Sequence, residues 1–292
     1  MEHIRTKFLD IFRERPGLLS LAVIENPYLY NPLMDGLDAL VLAVLSEEAQ
    51  TEYAKHIRVG GARLLVRAVR QDTIQSWIAT GEHRHYIDWL VRGEILLDRD
   101  GYLAGVRERL SSFPDSMREK KRFTEFTGFL KTYLQAKQEL VEGNLLDAYS
   151  YVLQALTYWA HIVLIEEGRH PELTVWKQLK RVHPGVYKLY EELTASPETL
   201  EQRVQLVMLA CEFSVMSLMK SCCEPLIRIM NSRTEPWSLG ELQTHPQLAE
   251  HQLELSLVIQ KLVKRAYVRE VAVMKDNNDN GAIELRYTIM NA

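Results

Sequence analysis

No stretch of this sequence approaches the ~18 consecutive apolar residues that a membrane-crossing helix needs. The N-terminal segment MEHIRTKFLDIFRERPG is too charged for a secretory signal. The expectation is a cytoplasmic protein with no membrane partner. Charge of one sign is also lacking: 35 Lys and Arg stand against 39 Asp and Glu, so net charge declares no nucleic-acid or anionic-membrane surface. Cysteine is scarce. Cys211, Cys222 and Cys223 lie in a helical pattern without a C-x-x-C pair or a second cluster, which excludes a zinc site of ordinary spacing and leaves them as reduced, buried helix residues. There is no glycine-serine linker, low-complexity tract or short repeat. The histidines are scattered, and Glu82, His83 and His85 in TGEHRHY read as an exposed polar turn rather than a metal site.

What is present falls into three stretches of different periodicity. Residues 1–114 alternate between elements. A helix is expected over residues 2–14 with Ile4, Phe8, Ile11 and Phe12 on one stripe, ended by Pro16-Gly17. LLSLAVIE reads as a strand, and DALVLAVL, apolar on both alternating faces after its first residue, as a central strand covered on both sides. YAKHIRVGGARLLVRAVR splits at Gly60-Gly61 into a hairpin. QDTIQSWIATG and HRHYIDWLVRG read as short helices, EILLD as a short strand and RDGYLAGVRERLSSF as helix. Residues 115–232 are helical throughout, with a start expected at Ser196-Pro197-Glu198 and a break at Pro225. Tyr149, Tyr158, Trp159, Met208, Met216 and Met219 sit there at helical spacing and read as core rather than a ligand pocket. From 233 to 292 the order is helix, helix, strand, turn, strand, that of a winged helix-turn-helix. The fold class is therefore α+β: an α/β domain, a central helical bundle and a C-terminal winged helix.

Asp35 and Asp38 precede the central strand. Nucleotidyl transfer needs carboxylates that fix magnesium between a triphosphate and the attacking hydroxyl. A pair two residues apart on a strand shares one face; a three-residue spacing does not, although a turn at Gly36 could bring Asp35 round. Without a metal, both aspartates serve as turn caps.

The stretches LLSLAVIENP, MDGLDALVLAVL, WIATGEHRHYIDWLVRGEILLDRDGYL and AKQELVEGNLLDAYSYVLQALTYWAHIVLIEEGRHPELTVWKQLKRVHPGVYKLYEEL resemble the nucleotidyltransferase-like proteins of the YgxA-like family. Over roughly the first 230 residues they also resemble the minimal and kanamycin-type nucleotidyltransferases. The resemblance implies a nucleotidyltransferase-like first domain, with Asp38 aligned to a metal carboxylate, Asp35 as its helper, magnesium as cofactor and a nucleoside triphosphate as ligand. Three departures go with it. Glu25-Asn26-Pro27 replaces the phosphate-holding Gly-Ser turn and places a carboxylate where phosphate would be repelled; Gly36 stands where the first metal carboxylate would be; and the strand ARLLVRAVR carries Arg63, Arg67 and Arg70 in place of a third acid. Arg63 and Arg67 are accordingly candidates for binding phosphate, or else the solvated face of an edge hairpin.

The winged helix carries seven basic residues and eight acidic ones over 233–292. Glu250 and Glu254 lie at the start of its second helix and Asp276 and Asp279 at the wing tip, where DNA phosphates would come. Lys261, Lys264, Arg265 and Lys275 are the candidate nucleic-acid residues; the first three lie at the far end of the helix, better placed for a partner protein. The helical stretch also resembles the HEPN type, whose nuclease form needs an arginine a few residues before a histidine. Arg169-His170 and Arg181-His183 lack that spacing. The leading expectation is a protein degenerate at its metal site that binds nucleotide or regulates. The alternatives are an active magnesium-dependent nucleotidyltransferase and a DNA-binding regulator.

Overall fold

The computed structural model describes residues 2–26, 34, 36–49, 51–80, 89–172, 174–249, 254–274 and 283–290. The expected helix over HRHYIDWLVRG, with His83 and His85, lies largely outside these residues, as do Asp35, Glu250, Lys275, Asp276 and Asp279. The chain forms two compact units, Met1–Pro114 and Asp115–Ala292.

The first unit is built on β1 (Leu18–Glu25), β2 (Ala39–Leu45), β3 (Tyr53–Val59), β4 (Ala62–Arg70) and β5 (Glu94–Asp98), in the order β3-β4-β2-β1-β5. β2 and β4 are parallel and the other neighbours antiparallel. Every residue of β2 is buried, as its unbroken apolar run requires of a strand covered on both faces. Helix α1 (Glu2–Arg13) covers one face with Ile4, Phe8 and Phe12. Ile11, expected on the same stripe, is instead exposed, although at about 100° per residue it lies only about 20° from the buried Ile4. Gly60 and Gly61 both take positive φ, +56° and +88°, which is the two-residue turn that matches strand twist. Helices α2 (Gln71–Thr80) and α3 (Tyr102–Ser112) also belong to the unit, and residues 89–92, the described end of the expected helix, are helical. Asp98, at the end of β5, accepts from the Leu103 and Ala104 N–H groups at 2.9 Å and from the buried Ser20 hydroxyl at 2.5 Å, tying the start of α3 to β1.

In the second unit α4 (Asp115–Glu142) and α5 (Leu145–Glu166) pair along their length, turning at Gly143. They approach so closely that a Cβ on Gly128 would lie 2.5 Å from the Tyr158 ring. Helices α6 (Val175–Val182), α7 (Pro184–Ala195), α8 (Leu200–Cys222) and α9 (Glu224–Met230) follow, with Trp176 and Tyr190 stacked at 3.9 Å. The start of α8 differs from the expectation: Thr199, not Ser196, is the cap, in a reciprocal box with Gln202. Only Thr199 has a glutamine three residues on to close that box. Cys211, Cys222 and Cys223 are buried and unbridged, and burial pushes the Cys211 and Cys222 thiols up to about 12, so they remain protonated. Met208 and Met219 are core residues too.

The C-terminal elements are α10 (Leu239–Gln243), α11 (Pro246–Ala249), α12 (Leu255–Lys264), β6 (Val268–Met274) and β7 (Ile283–Ile289). Residues 115–232 and 233–292, expected as separate domains, share one hydrophobic cluster running from Phe123 to Tyr287. At the start of α10 the Ser238 N–H donates to Glu241 Oε2 at 2.7 Å, and Arg233 lies 2.8 Å from the same oxygen. These two partners, the backbone N–H foremost, lower the Glu241 carboxyl to about 2 from its ordinary 4.5. A carboxyl depressed by folding stabilises fully above its unfolded pKa, and that contribution is lost as pH falls through the folded value. The stability advantage of the wild type over Glu241→Gln is thus expected near neutrality and should shrink between pH 4.5 and about 2 in urea titrations. An advantage constant across that window would contradict this linkage.

Candidate functional site

Asp38 lies where three strands meet. Its N–H donates to the Arg63 carbonyl at 2.8 Å, its carbonyl accepts from the Asn26 N–H at 2.9 Å, and its Oδ2 accepts from the Arg63 N–H at 2.7 Å. The side chain therefore terminates the β2–β4 ladder by satisfying a strand-end amide. Asn26 donates through Nδ2 to the Met34 and Leu37 carbonyls, each at 3.1 Å, so the residue following β1 clamps the turn that leads into β2. Gly36 takes φ +68°, and a Cβ there would lie 3.5 Å from the Arg63 guanidinium.

Side chains alternate across a strand. Ala39, Ile57, Val59, Ala62 and Leu64 point to the α1 side, which places Asp38, His56, Arg58 and Arg63 together on the opposite face. Arg58 is the direct cross-strand partner of Arg63. Leu37, His56, Ile57, Arg58 and Arg63 line an open cleft of about 420 Å³ beside Asp38. Among the described residues neither the Arg58 nor the Arg63 guanidinium has an ion-pair partner. Arg67 lies four residues further along β4, about 13 Å away along the strand, with its guanidinium 5.2 Å from the centre of the Trp77 ring. The two candidate arginines therefore do not converge. Arg63 is joined instead by Arg58, a residue the linear motif does not single out, although the Gly60-Gly61 turn dictates its pairing.

Glu25 does not oppose phosphate here. It follows Leu21 and Val23 on the α1 face, opposite Asp38, and pairs with Arg5 at 3.2 Å, which also holds Glu94 at 2.7 Å. Among the described residues no group of three or more His, Cys, Asp and Glu side chains comes together. Beside the cleft the described residues offer one carboxylate and two guanidinium groups, with the Arg67 guanidinium further along the same face.

In the second unit Lys261, Lys264 and Arg265 cluster at the C-terminal end of α12. Burial first, then the neighbouring Lys264, Lys137 and Arg265, lower the Lys261 pKa. At the other end Glu254 is held by Lys131 of α4 at 2.6 Å, so the end of α12 that a recognition helix would present to bases carries a carboxylate tied to the bundle. At the start of β7, Ile283 and Leu285 are exposed apolar residues, poor contacts for DNA phosphates. His183 accepts from the Val186 N–H and caps α7. Among the described residues no helix is long and apolar enough to cross a membrane.

A five-stranded mixed sheet followed by helices and a helix-turn-helix region defines a nucleotidyltransferase-like class of protein. Three family models match consecutive stretches: nucleotidyltransferase-like over 1–118, YgxA-like substrate binding domain over 119–218 and helix-turn-helix domain over 224–284. The crystal structure of a nucleotidyltransferase-like protein from Exiguobacterium sibiricum 255-15 matches with a TM-score of 0.86 and 26% identity, covering 100% of both chains. The uncharacterized protein YgxA of Bacillus subtilis (strain 168) is 33% identical over 261 residues, 88% of each chain. The chain belongs to the YgxA-like family.

Proposed function

We propose that this protein is a nucleotide-binding regulator whose first unit has kept the nucleotidyltransferase-like fold but not its metal chemistry. The observation that carries this reading is the row Asp38–Arg63–Arg58 across three strands of one face. Magnesium takes oxygen ligands and keeps near-octahedral geometry. Among the described residues a single carboxylate, already accepting a backbone N–H and flanked by two guanidinium groups, is a poor donor set for it. The same two guanidinium groups, side by side in a cleft and lacking counter-ions among the described residues, suit a di- or triphosphate. In this reading the bound nucleotide sets what the second unit engages through its bundle and helix-turn-helix region.

Calorimetric titration with ATP, GTP, CTP and UTP, in magnesium and in excess chelator, tests this reading. Binding of at least one triphosphate is expected to persist in chelator and in Asp38→Ala, while Asp38→Ala lowers stability by about 1 kcal/mol through loss of the Arg63 amide's partner. Magnesium-dependent binding that Asp38→Ala abolishes, accompanied by pyrophosphate release, would establish the active transferase instead. Absence of binding to all four would leave the fold as a scaffold. Duplex DNA binding with a steep salt dependence, lost on removing residues 233–292, would favour the transcriptional reading suggested by the helix-turn-helix match.

A further inference from the structure

Helix α8 is apolar on two opposite sides. One side, with Val204, Val207, Cys211 and Ser214, is buried in the bundle. The other carries Leu206, Leu209 and Phe213 at intervals of three and four residues, and these are 49%, 68% and 75% exposed. A helix surface of this kind belongs against a partner, because an amphipathic helix ordinarily turns charge to solvent on the side away from its core. Scattered exposed leucines need no explanation; three in register, including a phenylalanine, form a continuous stripe.

Toward the end of α12 the charges beside that stripe are predominantly positive. Glu212, next to Phe213, is bound by Lys137 of α4 at 3.5 Å. Both lie within electrostatic reach of Lys261, whose other charged neighbours are Lys264 and Arg265. Among the described residues Lys261, Lys264 and Arg265 have no ion-pair partner, so four cations face one carboxylate. Such crowding is unfavourable in the free protein and is relieved by an anionic partner. A DNA duplex would meet the cations but offers nothing apolar to cover Leu209 and Phe213.

We propose that the exposed side of α8, with the cationic cluster at the end of α12, is the docking surface for an acidic amphipathic helix of a partner protein. The stripe supplies the anchors by which a helix seats its own apolar face, at i, i+3 and i+7. The flanking cations fix its orientation and speed its approach. This inference is independent of whether the first unit binds nucleotide.

The test uses the full-length protein and fluorescence anisotropy with a labelled helical peptide carrying leucines at i, i+3, i+4 and i+7 and glutamates elsewhere, beside a counterpart with lysine for glutamate. The acidic peptide is expected to bind, and the basic one about tenfold or more weakly. Leu209→Ser/Phe213→Ser and Lys264→Glu/Arg265→Glu, all at exposed positions and so leaving circular dichroism unchanged, should each weaken the acidic peptide by about tenfold or more. The second pair should also flatten its salt dependence. Equal affinity for the two peptides, or no change in either variant, overturns the proposal. So does a dimer in light scattering that Phe213→Ser dissociates, which would assign the stripe to a second copy. So too would duplex DNA binding that the charge-reversed variant loses while peptide binding stays intact.

Discussion

Trp237→Ala is expected to destabilise Asp115–Ala292 by about 3–5 kcal/mol and to split its unfolding into two steps. Trp237 is 8% exposed and lies just past the point where the sequence pattern changes. Its indole N–H donates to the Met230 carbonyl at 3.2 Å, at the end of the bundle, and the Arg233 guanidinium stacks 3.7 Å over its ring. Its backbone exchanges two 2.8 Å hydrogen bonds with Tyr287 of β7, and its ring meets His245 edge-on. One residue thus joins the last bundle helix and the helix-turn-helix segment through its side chain and the two-stranded sheet through its backbone. Truncation removes a large buried ring, its hydrogen bond and its cation–π contact together. Hydrogen exchange should show β6 and β7 opening before α4 and α5 in the variant, whereas in the wild type the protection of all four is lost in a single transition. Separate wild-type transitions for residues 115–232 and 233–292 would contradict a shared core, and a variant that melts as the wild type does would contradict the role of Trp237.

The central strand was legible because an apolar run with no polar alternation has one stable use in a mixed sheet. The hairpin was legible because adjacent glycines permit a turn that few other residue pairs do. A cap depends on which side chain reaches a particular amide, which explains why Ser196 was the natural expectation and Thr199 the actual cap. The core shared by the bundle and the C-terminal segment draws on many residues, and one of them, Trp237, is a single aromatic in a polar stretch whose burial has no periodic signature. The candidate site divides in the same way. Arg63 could be read from the strand that should carry an acid, but its true neighbour depends on register: in an antiparallel hairpin the residues equidistant from the turn meet, and residues four apart on one strand do not. Glu25 looked like a phosphate repellent because its strand face and its pairing with Arg5, twenty positions earlier, are tertiary facts.

That register carries the other large expectation. If Arg58 and Arg63 form the anion site, Arg58→Ala/Arg63→Ala should weaken triphosphate binding by about 100-fold or more, since each hydrogen bond to a charged group contributes about 1.5–3 kcal/mol. Arg67→Ala, by contrast, should change affinity by no more than about threefold and act mainly on stability, because its guanidinium is placed against Trp77 rather than in the cleft. Arg58→Lys/Arg63→Lys should recover part of the loss and restore the salt dependence, since lysine keeps the charge without the planar fork that grips two phosphate oxygens. Calorimetry on the four proteins at two ionic strengths measures all of this. If Arg67→Ala were the damaging change and Arg58→Ala/Arg63→Ala silent, phosphate would have to be held along β4, beneath α2, rather than across the hairpin. The arginines of the strand would then matter through their sequence spacing alone. If all the variants bound equally, the cleft would not be the nucleotide site, and the Arg58 and Arg63 guanidinium groups would have to answer to an anion that is not a nucleotide.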